Sequence, residues 1–523
     1  MVNLRQAISG FSIIVSLLLP PASHVQEVDP PTKSVAIVGA GSAGLAILKS
    51  LLDLPEDTRK GWDIVLYEQR RDVGGIWLPD PNPAQPPELP ETPLYPLLHT
   101  NTPVPTMTYP GFPFPPNTPL FPSHEHVEQY HRDYANHFSL VPYIRLNHTV
   151  LSSSWIGNST DGVWKVVVQD HNRNKILKEH DHLIVANEHN HIPRIPKFTG
   201  QDKWLRSSPR NGPKREILHS IWYRGPERFR DRSVVVVGSG NSAQDVTSQV
   251  CLTARRTYHS IRNHSAPPVV TDVIVKPEIS HFTSTSIVFV DGSIVSDADF
   301  IILGTGYELR IPFLEEGYEL AVKPEAHTNE TYREGLVTNL RYLFPLHQHI
   351  FSLSPSYPTN ALAFIGLLRN TSHCPSNIAQ SVYVAHAIAN ASLLPDREDL
   401  LQQLAASEKR LYSLGYDPYY LGHSLLKWFQ FDYQDNLKTY LQKHGALPED
   451  GKKFVEGWRR EAPDFQYLKR GWKRVEDLGT QPEWLGGIIT EEDWAGLLRR
   501  LNDWQGRWEK EHGLVYPAGL ISY

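Results

Sequence analysis

The sequence predicts an α/β chain with two Rossmann-like dinucleotide-binding domains and a helical C-terminal region. Two segments about two hundred residues apart have nearly the same sequence pattern, SVAIVGAGSAGLA at 34–46 and VVVVGSGNSAQD at 234–245. Each reads as a buried parallel strand, a glycine-rich turn and a helix. At 523 residues the chain is also too long for one compact core, so several domains are expected.

Composition excludes several classes of protein. The chain has 51 basic and 57 acidic residues, spread without a basic stripe, so we expect no nucleic-acid partner. Cys251 and Cys374 are far apart, which excludes a Cys-x-x-Cys reductase. There is no Gly-x-Ser-x-Gly element of a hydrolase. The histidines between 180 and 191 flank a predicted buried strand, and we expect no metal site there.

The N-terminus predicts a signal peptide over residues 1–23. The apolar run AISGFSIIVSLLL at 7–19 is shorter than the ~20 residues that span a bilayer, and Ala22 and Ser23 suit a cleavage site. An uncleaved segment that anchors the chain at a membrane interface is the alternative. Membrane association is expected only through this segment.

Asn-x-Ser/Thr sequons agree with entry into the secretory pathway or secretion. Such sequons are acceptors for N-linked glycans in secreted proteins. The predicted glycosylation sites are Asn147, Asn158, Asn263, Asn329, Asn370 and Asn390.

The first glycine-rich turn has the spacing of a dinucleotide site. Gly39 permits the tight turn, Gly41 lets the backbone approach a pyrophosphate, and Gly44 lets helix and strand pack closely. The next strand, WDIVLYE, ends at Glu68, an acid placed for a ribose hydroxyl. The predicted cofactor-binding residues of the turn are Gly39, Ala40, Gly41, Ser42, Ala43 and Gly44.

The second turn differs at the strand that follows it. The predicted cofactor-binding residues of this turn are Gly238, Gly240, Asn241, Ser242 and Ala243. Its next strand, RTYHSIRN, offers Ser260 and Arg262 where the first unit has an acid. A hydroxyl and a cation there suit a 2′-phosphate, so the second nucleotide is predicted to be NADPH and the first FAD. Arg255 and Arg256 are interpreted as solvated surface.

Two further passages carry a family resemblance. QRRDVGGIW at 69–77 and YPLLHTNTPVPTMTYPGFPFP at 95–115 resemble segments of the flavin-containing monooxygenase family. The resemblance implies that Gly75, Ile76 and Trp77 lie along FAD. It also implies that Asn101 is the catalytic residue over the reacting edge of the flavin, with Thr100 and Thr102 near the cofactor.

Later segments extend the resemblance to roughly residues 33–390. The family signature Phe-x-Gly-x-x-x-His-x-x-x-Tyr retains His219 and Tyr223, but its Phe and Gly fall on Pro213 and Arg215. This departure leaves the conformation of the linker open, and His219 is interpreted as structural. Gly-Thr-Gly-Tyr at 304–307 and ALAFIGLLRNTSHCPSNIAQ at 361–380 also match, which implies cofactor contacts for Thr305, Gly306 and Gln380.

The resemblance implies that the NADP domain is inserted in the FAD domain. The predicted bounds are 33–205 and 335–395 for the two parts of the FAD domain, 228–334 for the NADP domain and 396–523 for the helical region. The rings of the helical region are predicted to be core, whereas its loops are expected to help form the pocket walls.

The implied activity is an FAD- and NADPH-dependent monooxygenation. One oxygen of O2 passes through a flavin C4a-peroxide to a small organic substrate, with N- or S-oxygenation as the default. A Baeyer–Villiger or epoxidising monooxygenase of a secondary-metabolite pathway stays open, as does a flavin-binding protein without turnover.

Overall fold

The computed structural model describes residues 31–187, 189–209, 212–263, 272–426 and 429–514, so the predicted signal peptide lies outside the described residues. Its largest sheet has seven strands, most of them parallel. From one edge to the other these are Leu346–His347, Phe351–Ser352, Leu362–Phe364, His182–Val185, Lys33–Val38, Trp62–Tyr67 and Ile144–Arg145.

The inner strand Lys33–Val38 of this sheet is covered on both faces. Lys33–Val38 pairs in parallel with Trp62–Tyr67 on one side and His182–Val185 on the other. Five consecutive residues of KSVAIV are buried, as expected for a strand inside a parallel sheet. The helix Ser42–Leu52 lies over it and packs against the long helix His373–Ala389.

The second sheet has five parallel strands and confirms the second Rossmann-like unit. Their order is Val273–Lys276, Arg256–Ser260, Ser233–Val237, Phe300–Leu303 and Glu216–His219. The last of these lies upstream of residue 228, so the second unit begins near 216 rather than at the predicted bound. Because the first sheet resumes at residue 346, the second unit is inserted in the first.

Three smaller sheets of three strands each accompany the two large ones. Their strands are Thr149–Gly157, Gly162–Gln169 and Lys175–His180; Ile279–Phe282, Ile287–Phe289 and Ile294–Val295; and Leu320–Val322, Leu336–Thr338 and Leu343–Phe344. The remaining helices before residue 396 are Glu56–Arg59, Val104–Met107, His124–His137, Gln201–Arg206, Asn241–Val250 and Pro312–Glu316. Short 3-10 turns cover Gly75–Trp77, Val141–Tyr143, Ser220–Trp222, Pro226–Phe229, Asn329–Arg333, Ala391–Leu393 and Ala462–Asp464.

The region after residue 396 is helical, as predicted. Its helices are Arg397–Ser413, Pro418–Leu421, Phe429–Lys443, Gly457–Glu461, Leu468–Asp477, Gln481–Leu485 and Glu491–Glu511. Trp472 and Trp494 are buried in the main core, which confirms the core interpretation for these rings. Within the part of the chain that the structure describes, no helix has the length and apolarity needed to cross a membrane.

Candidate functional site

The first glycine-rich turn is fixed by backbone contacts. Gly39 has φ +103°, a region that favours glycine. A Cβ added at Gly44 would lie 1.8 Å from the Gly39 carbonyl oxygen, so the helix can pack on the turn only when residue 44 has no side chain. Gly39 and Gly44 are therefore required for the conformation and packing of the turn.

The Glu68 carboxylate lies directly beneath this turn. It is buried, and its two oxygens accept hydrogen bonds from the backbone N–H groups of Ala40 (2.7 Å) and Arg70 (2.8 Å). Burial raises the pKa of Glu68, and the two amide donors act in the opposite direction. Glu68 therefore anchors the turn, and its predicted contact with a ribose hydroxyl stays a prediction.

Gly41 and Gly75 form a cradle of bare backbone that fits a pyrophosphate. A Cβ added at Gly75 would lie 3.0 Å from the Gly41 Cα, so the two segments pass each other without side chains. No side chain caps the helix that begins at Ser42, which leaves its first N–H groups to a ligand. Arg70 holds the second segment in place by donating to the carbonyl oxygens of Gly75 (2.7 Å) and Leu78 (2.6 Å).

The second turn has the same form with one exchange. A Cβ added at Gly238 would lie 2.2 Å from the Gly304 oxygen, so the turn packs closely on the neighbouring strand end. The third-glycine position holds Ala243, and a Cβ at Gly304 would come within 2.5 Å of its methyl group. Gly304 thus provides the space that Ala243 uses. No side chain caps the helix that follows Gly240.

One cavity of about 1360 Å³ joins the two turns. The predicted site residues on its wall are Ser42, Ile76, Trp77, Thr100, Asn101, Thr102 and Asn241. These residues belong to the first turn, the two family-like segments and the second turn. The cavity continues to the C-terminal helices, where Arg459, Tyr467 and Glu509 are among the residues that line it.

Asn101 presents its carboxamide to this cavity. It is exposed, and no hydrogen bond joins its side chain to another residue of the described ranges. Its neighbour Thr100 is buried and fixes the local turn, with Oγ1 donating to the Thr102 carbonyl oxygen at 2.9 Å. The carboxamide is therefore free to donate and to accept hydrogen bonds.

Comparison with known proteins agrees with this geometry. The model of the family described as flavin-binding monooxygenase-like matches residues 32–271 and 263–449. The chain belongs to this family. The "Flavin-containing monooxygenase FMO GS-OX-like 9" of Arabidopsis thaliana is 30% identical over 404 residues, covering 71% of this chain and 79% of the relative.

Another relative and a solved structure extend the likeness. The "Senecionine N-oxygenase" of Tyria jacobaeae is 27% identical over 409 residues, covering 75% of this chain and 79% of that protein. The structure of S-allyl-L-cysteine S-oxygenase from Allium sativum superposes with a TM-score of 0.67 at 24% identity and covers 91% of this chain and 99% of its own. The chain therefore has the fold of a flavin monooxygenase with two dinucleotide-binding domains, and its family implies a flavin cofactor, a small-molecule substrate and O2.

The linker is held by hydrogen bonds of Arg215 and His219, although the Phe and Gly of the family signature are absent. Arg215, at the missing glycine position, is buried and donates to the carbonyl oxygens of Trp204 (3.1 Å), on the helix Gln201–Arg206, and of Ser284 (2.6 Å) and Thr285 (3.1 Å) in the second unit. His219 bonds the Gly306 oxygen through Nε2 (3.0 Å) and accepts from the Ile221 N–H at Nδ1 (3.1 Å). Burial lowers the pKa of His219 to about 4, so this histidine is a neutral structural residue at neutral pH.

Several residues predicted to contact the cofactors form hydrogen bonds to other residues of the protein instead. The Ser260 hydroxyl is buried and donates to the Pro277 carbonyl oxygen at 2.7 Å, so a phosphate contact through this hydroxyl is not supported. Thr305 Oγ1 donates to the Arg194 oxygen at 2.5 Å, and the Gly306 oxygen accepts from the Arg194 N–H at 2.9 Å. Gln380 is fully buried, accepts from the Gly366 N–H and donates to the Tyr433 hydroxyl, away from the cavity wall.

Arg262 lies at the surface of the second unit. Its side chain is exposed, forms an ion pair with Glu278 (3.1 Å) and donates to the Tyr420 hydroxyl (2.7 Å). Arg256, at the opposite end of the same strand, pairs with Asp297, consistent with its interpretation as surface.

The sequence prediction missed two acceptors on the cavity wall. His131 donates through Nδ1 to the Val127 oxygen (2.8 Å), which leaves Nε2 as a buried acceptor without a partner among the described residues. Gln434 donates through Nε2 to the Gln430 oxygen (3.0 Å), and its Oε1 is likewise unpartnered there. Neither residue belongs to a recognisable motif, so no signal in a single sequence marks them.

Three of the four histidines at 180, 182, 189 and 191 have hydrogen-bond partners, whereas the Nδ1 of His189 is buried without one among the described residues. His180 bonds Ser34 and Tyr67, His182 bonds the Asn360 oxygen, and His191 bonds the Pro90 oxygen. Across the described ranges, no three His, Cys, Asp or Glu side chains gather in a way that would hold a metal ion.

Proposed function

We propose that this chain is an FAD- and NADPH-dependent monooxygenase that transfers one oxygen atom of O2 to a nitrogen or sulfur atom of a small organic substrate. The observation that carries the proposal is the continuity of one cavity from Ser42 at the first turn, past Asn101, to Asn241 at the second turn. A nicotinamide and a flavin held by these two turns would meet inside one enclosed space.

The first turn would hold FAD. The bare backbone of Gly41 and Gly75 and the uncapped start of the helix at Ser42 suit the pyrophosphate. Glu68, which follows the strand Trp62–Tyr67, would contact the ribose. The second turn, with Gly240 and Asn241 exposed at the start of its helix, would hold NADPH. When bound, the flavin supplies O2 activation and the nicotinamide supplies the reducing electrons.

The chain itself would orient the reactants and exclude water. Asn101 offers a donor and an acceptor from one carboxamide at the wall shared by both turns. Phe114, Val127 and Phe431 give the wall its apolar part, which keeps water from the reacting atoms. No side chain is required to remove a proton from the substrate, since a lone pair on nitrogen or sulfur is itself the nucleophile.

The two arginines on the cavity wall are paired with carboxylates. Arg459 is held by Glu456 (2.7 Å) and Glu491 (2.9 Å), and Arg470 bonds Glu509 through two nitrogens (2.7 and 2.9 Å). A cavity whose arginines are compensated in this way suits a neutral amine or thioether. The names of two similar proteins, an N-oxygenase and an S-oxygenase, agree with this substrate class.

The test is a stoichiometric assay of the FAD-loaded protein. With a tertiary amine or a thioether present, we expect NADPH and O2 to be consumed one to one with the formation of N-oxide or sulfoxide. In Asn101→Ala, NADPH oxidation should persist while released H2O2 replaces most of the product.

The controls separate the alternatives. Asn117→Ala, at an exposed asparagine outside this cavity, should behave as wild type. Conversion of a cyclic ketone to a lactone, or of an alkene to an epoxide, with no amine or thioether product would assign the chain to the other monooxygenase classes. Bound FAD that NADPH does not reduce would refute the proposal in favour of a binding protein.

We also propose that the chain enters the secretory pathway. All six sequon asparagines, at 147, 158, 263, 329, 370 and 390, are exposed. The protein expressed in a eukaryotic cell should shift to lower mass on treatment with an N-glycosidase. An unchanged mass, together with recovery of the protein in the cytosolic fraction, would refute this proposal.

A further inference from the structure

Two buried side chains on the cavity wall have an acceptor atom without a partner. His131 lies on the helix His124–His137, Gln434 lies on the helix Phe429–Lys443, and each residue is 1% exposed. Of the cavity-lining residues that the structure describes, these two alone have a buried side-chain nitrogen or oxygen that lacks a hydrogen bond. A buried acceptor without a donor costs free energy, so two of them on one wall call for a partner.

The imidazole of His131 is held in one orientation and one tautomer. Its Nδ1 lies 2.8 Å from the Val127 carbonyl oxygen, which can only accept, so the ring hydrogen is on Nδ1. Burial lowers the pKa of His131 to about 4, so the ring is uncharged at neutral pH. Nε2 therefore has no hydrogen and can act only as an acceptor.

The carboxamide of Gln434 is oriented for a similar reason. Its Nε2 lies 3.0 Å from the carbonyl oxygen of Gln430, one turn earlier on the same helix. If the carboxamide turned over, two oxygen atoms would face each other at this distance. The oxygen Oε1 is therefore fixed as the atom without a partner, and it too can only accept.

The protein donors on the same wall are used elsewhere. The hydroxyl of Tyr130 donates to the Phe112 carbonyl oxygen at 2.6 Å. The guanidinium of Arg459 donates to the Pro105 carbonyl oxygen (2.6 Å) and the Thr108 hydroxyl (2.7 Å), besides its two glutamate partners. A donor for the two acceptors therefore has to come from a molecule bound in the cavity.

We propose that His131 and Gln434 position the substrate by accepting hydrogen bonds from it, and that the substrate carries N–H or hydroxyl donors besides the nitrogen or sulfur atom that is oxygenated. This inference rests on the proposed function and narrows the substrate class of the same site. A substrate without such donors would leave both acceptors buried and unpaired, and a site of this kind discriminates strongly against it.

The rest of the wall suits the hydrocarbon part of such a substrate. Phe114, Val127 and Phe431 line the same cavity and are apolar. A few polar contacts on an apolar wall fix the orientation of a small ligand, and here the two acceptors would fix it. His131 and Gln434 are positioning residues, because a defined orientation holds the oxygenated atom where it can react.

The experiment compares two thioethers on the FAD-loaded protein, a methylthioalkyl carboxamide and the methyl ketone of the same shape. The amide offers two N–H donors, whereas the ketone has the same carbonyl oxygen and no donor. Both are tested over a series of chain lengths, and sulfoxide formation is measured. At the best chain length, wild type should have a kcat/KM at least about tenfold higher for the amide than for the ketone.

Three variants test the assignment to these two residues. His131→Phe and Gln434→Leu should each lose most of the preference for the amide, with the rate of flavin reduction by NADPH unchanged. His126→Phe, at an exposed histidine of the same helix outside this cavity, should keep it. Because the two thioethers are compared on the same protein sample, a partial loss of folded enzyme in a variant cancels from the ratio.

Three outcomes would overturn the inference. Equal kcat/KM for amide and ketone in the wild type would show that the acceptors do not contact the substrate. A preference that survives in both His131→Phe and Gln434→Leu would assign it to other residues. Variants that keep the preference but bind FAD at least about tenfold more weakly, in a fluorescence titration, would assign the acceptors to hydroxyl groups of the cofactor.

Failure of the proposed function gives a different result. A wild-type protein that oxygenates both thioethers equally well remains a monooxygenase and overturns only this inference. A wild-type protein that forms sulfoxide from neither compound and N-oxide from no amine refutes the proposed function, and this inference with it.

Discussion

The two glycines at 41 and 44 have different roles, and their alanine variants separate cofactor binding from folding. A Cβ at Gly44 would lie 1.8 Å from the Gly39 oxygen, whereas carbon–oxygen contacts normally begin at ~3.3 Å. Both partners belong to the backbone, so no side chain can rotate away, and the turn itself has to shift by roughly 1.5 Å. Overpacking costs about 1–3 kcal/mol where side chains adjust, so we expect Gly44→Ala to lose at least ~3 kcal/mol of stability.

Gly41→Ala is the matched variant in the same turn. Its Cβ would lie 3.5 Å from the Gly75 Cα, an ordinary contact, and residue 41 has an extended backbone (φ −79°, ψ −167°) that alanine adopts freely. Replacing a glycine by alanine at this N-cap position costs roughly 0.5–1 kcal/mol by itself, because alanine is a poorer N-cap residue than glycine. The added methyl group would, however, occupy the space through which a pyrophosphate approaches the backbone.

The assay combines denaturant unfolding of flavin-free protein with titration of FAD by fluorescence quenching. Gly41→Ala should keep its unfolding free energy within about 1 kcal/mol of wild type, yet bind FAD at least about a hundredfold more weakly, a loss of ~2.7 kcal/mol. Gly44→Ala should unfold at a much lower denaturant concentration. Wild-type FAD affinity in a stable Gly41→Ala protein would refute the placement of the pyrophosphate in the cradle of Gly41 and Gly75.

Three further predictions concern the linker, the second turn and the dependence on pH. The variant Arg215→Ala leaves three carbonyl oxygens without their donor. At ~1 kcal/mol for each lost hydrogen bond, urea unfolding should show a loss of about 3 kcal/mol of stability, whereas the variant of an exposed residue, Arg228→Ala, should show no change. The variant Gly304→Ala should destabilise the second unit, because the added Cβ would lie 2.5 Å from the Ala243 methyl group. Adding Ala243→Gly should restore part of the lost stability. Equal stability of the single and double variants would contradict this packing. Burial lowers the pKa of His131 to about 4 from 6.5, so the stability that His131 contributes is complete above pH 6.5 and is lost as the pH falls towards 4. The variant His131→Gln should therefore reduce the slope of unfolding free energy against pH in that window by about 1.4 kcal/mol per pH unit.

The parts of the fold that follow from local spacing were predictable. The first turn, its strand and helix and the acid at Glu68 are contiguous or nearly so in the chain, and the structure has them where the spacing places them. The second dinucleotide-binding unit was predictable for the same reason, because its strand, turn and helix are also contiguous in the chain. Its true beginning was missed because Glu216–His219 is only four residues long and joins the sheet by pairing with the distant strand Phe300–Leu303.

Much of the candidate site is formed by contacts that no local pattern records. Asn101 was found through its flanking segments, whereas His131 and Gln434 reach the same cavity from helices some three hundred residues apart. The predicted role of the Ser260 hydroxyl failed for a related reason, because its acceptor, Pro277, lies on another strand connection.

Isotope incorporation tests the central claim most directly. FAD-loaded protein is supplied with NADPH, a thioether and ¹⁸O₂, and the product is examined by mass spectrometry. The account predicts a sulfoxide that carries one ¹⁸O atom for each NADPH consumed, with a large shift from product to H2O2 in Asn101→Ala. A product whose oxygen comes from water, or NADPH oxidation that yields only H2O2 in the wild type with amines as well as thioethers, would contradict it.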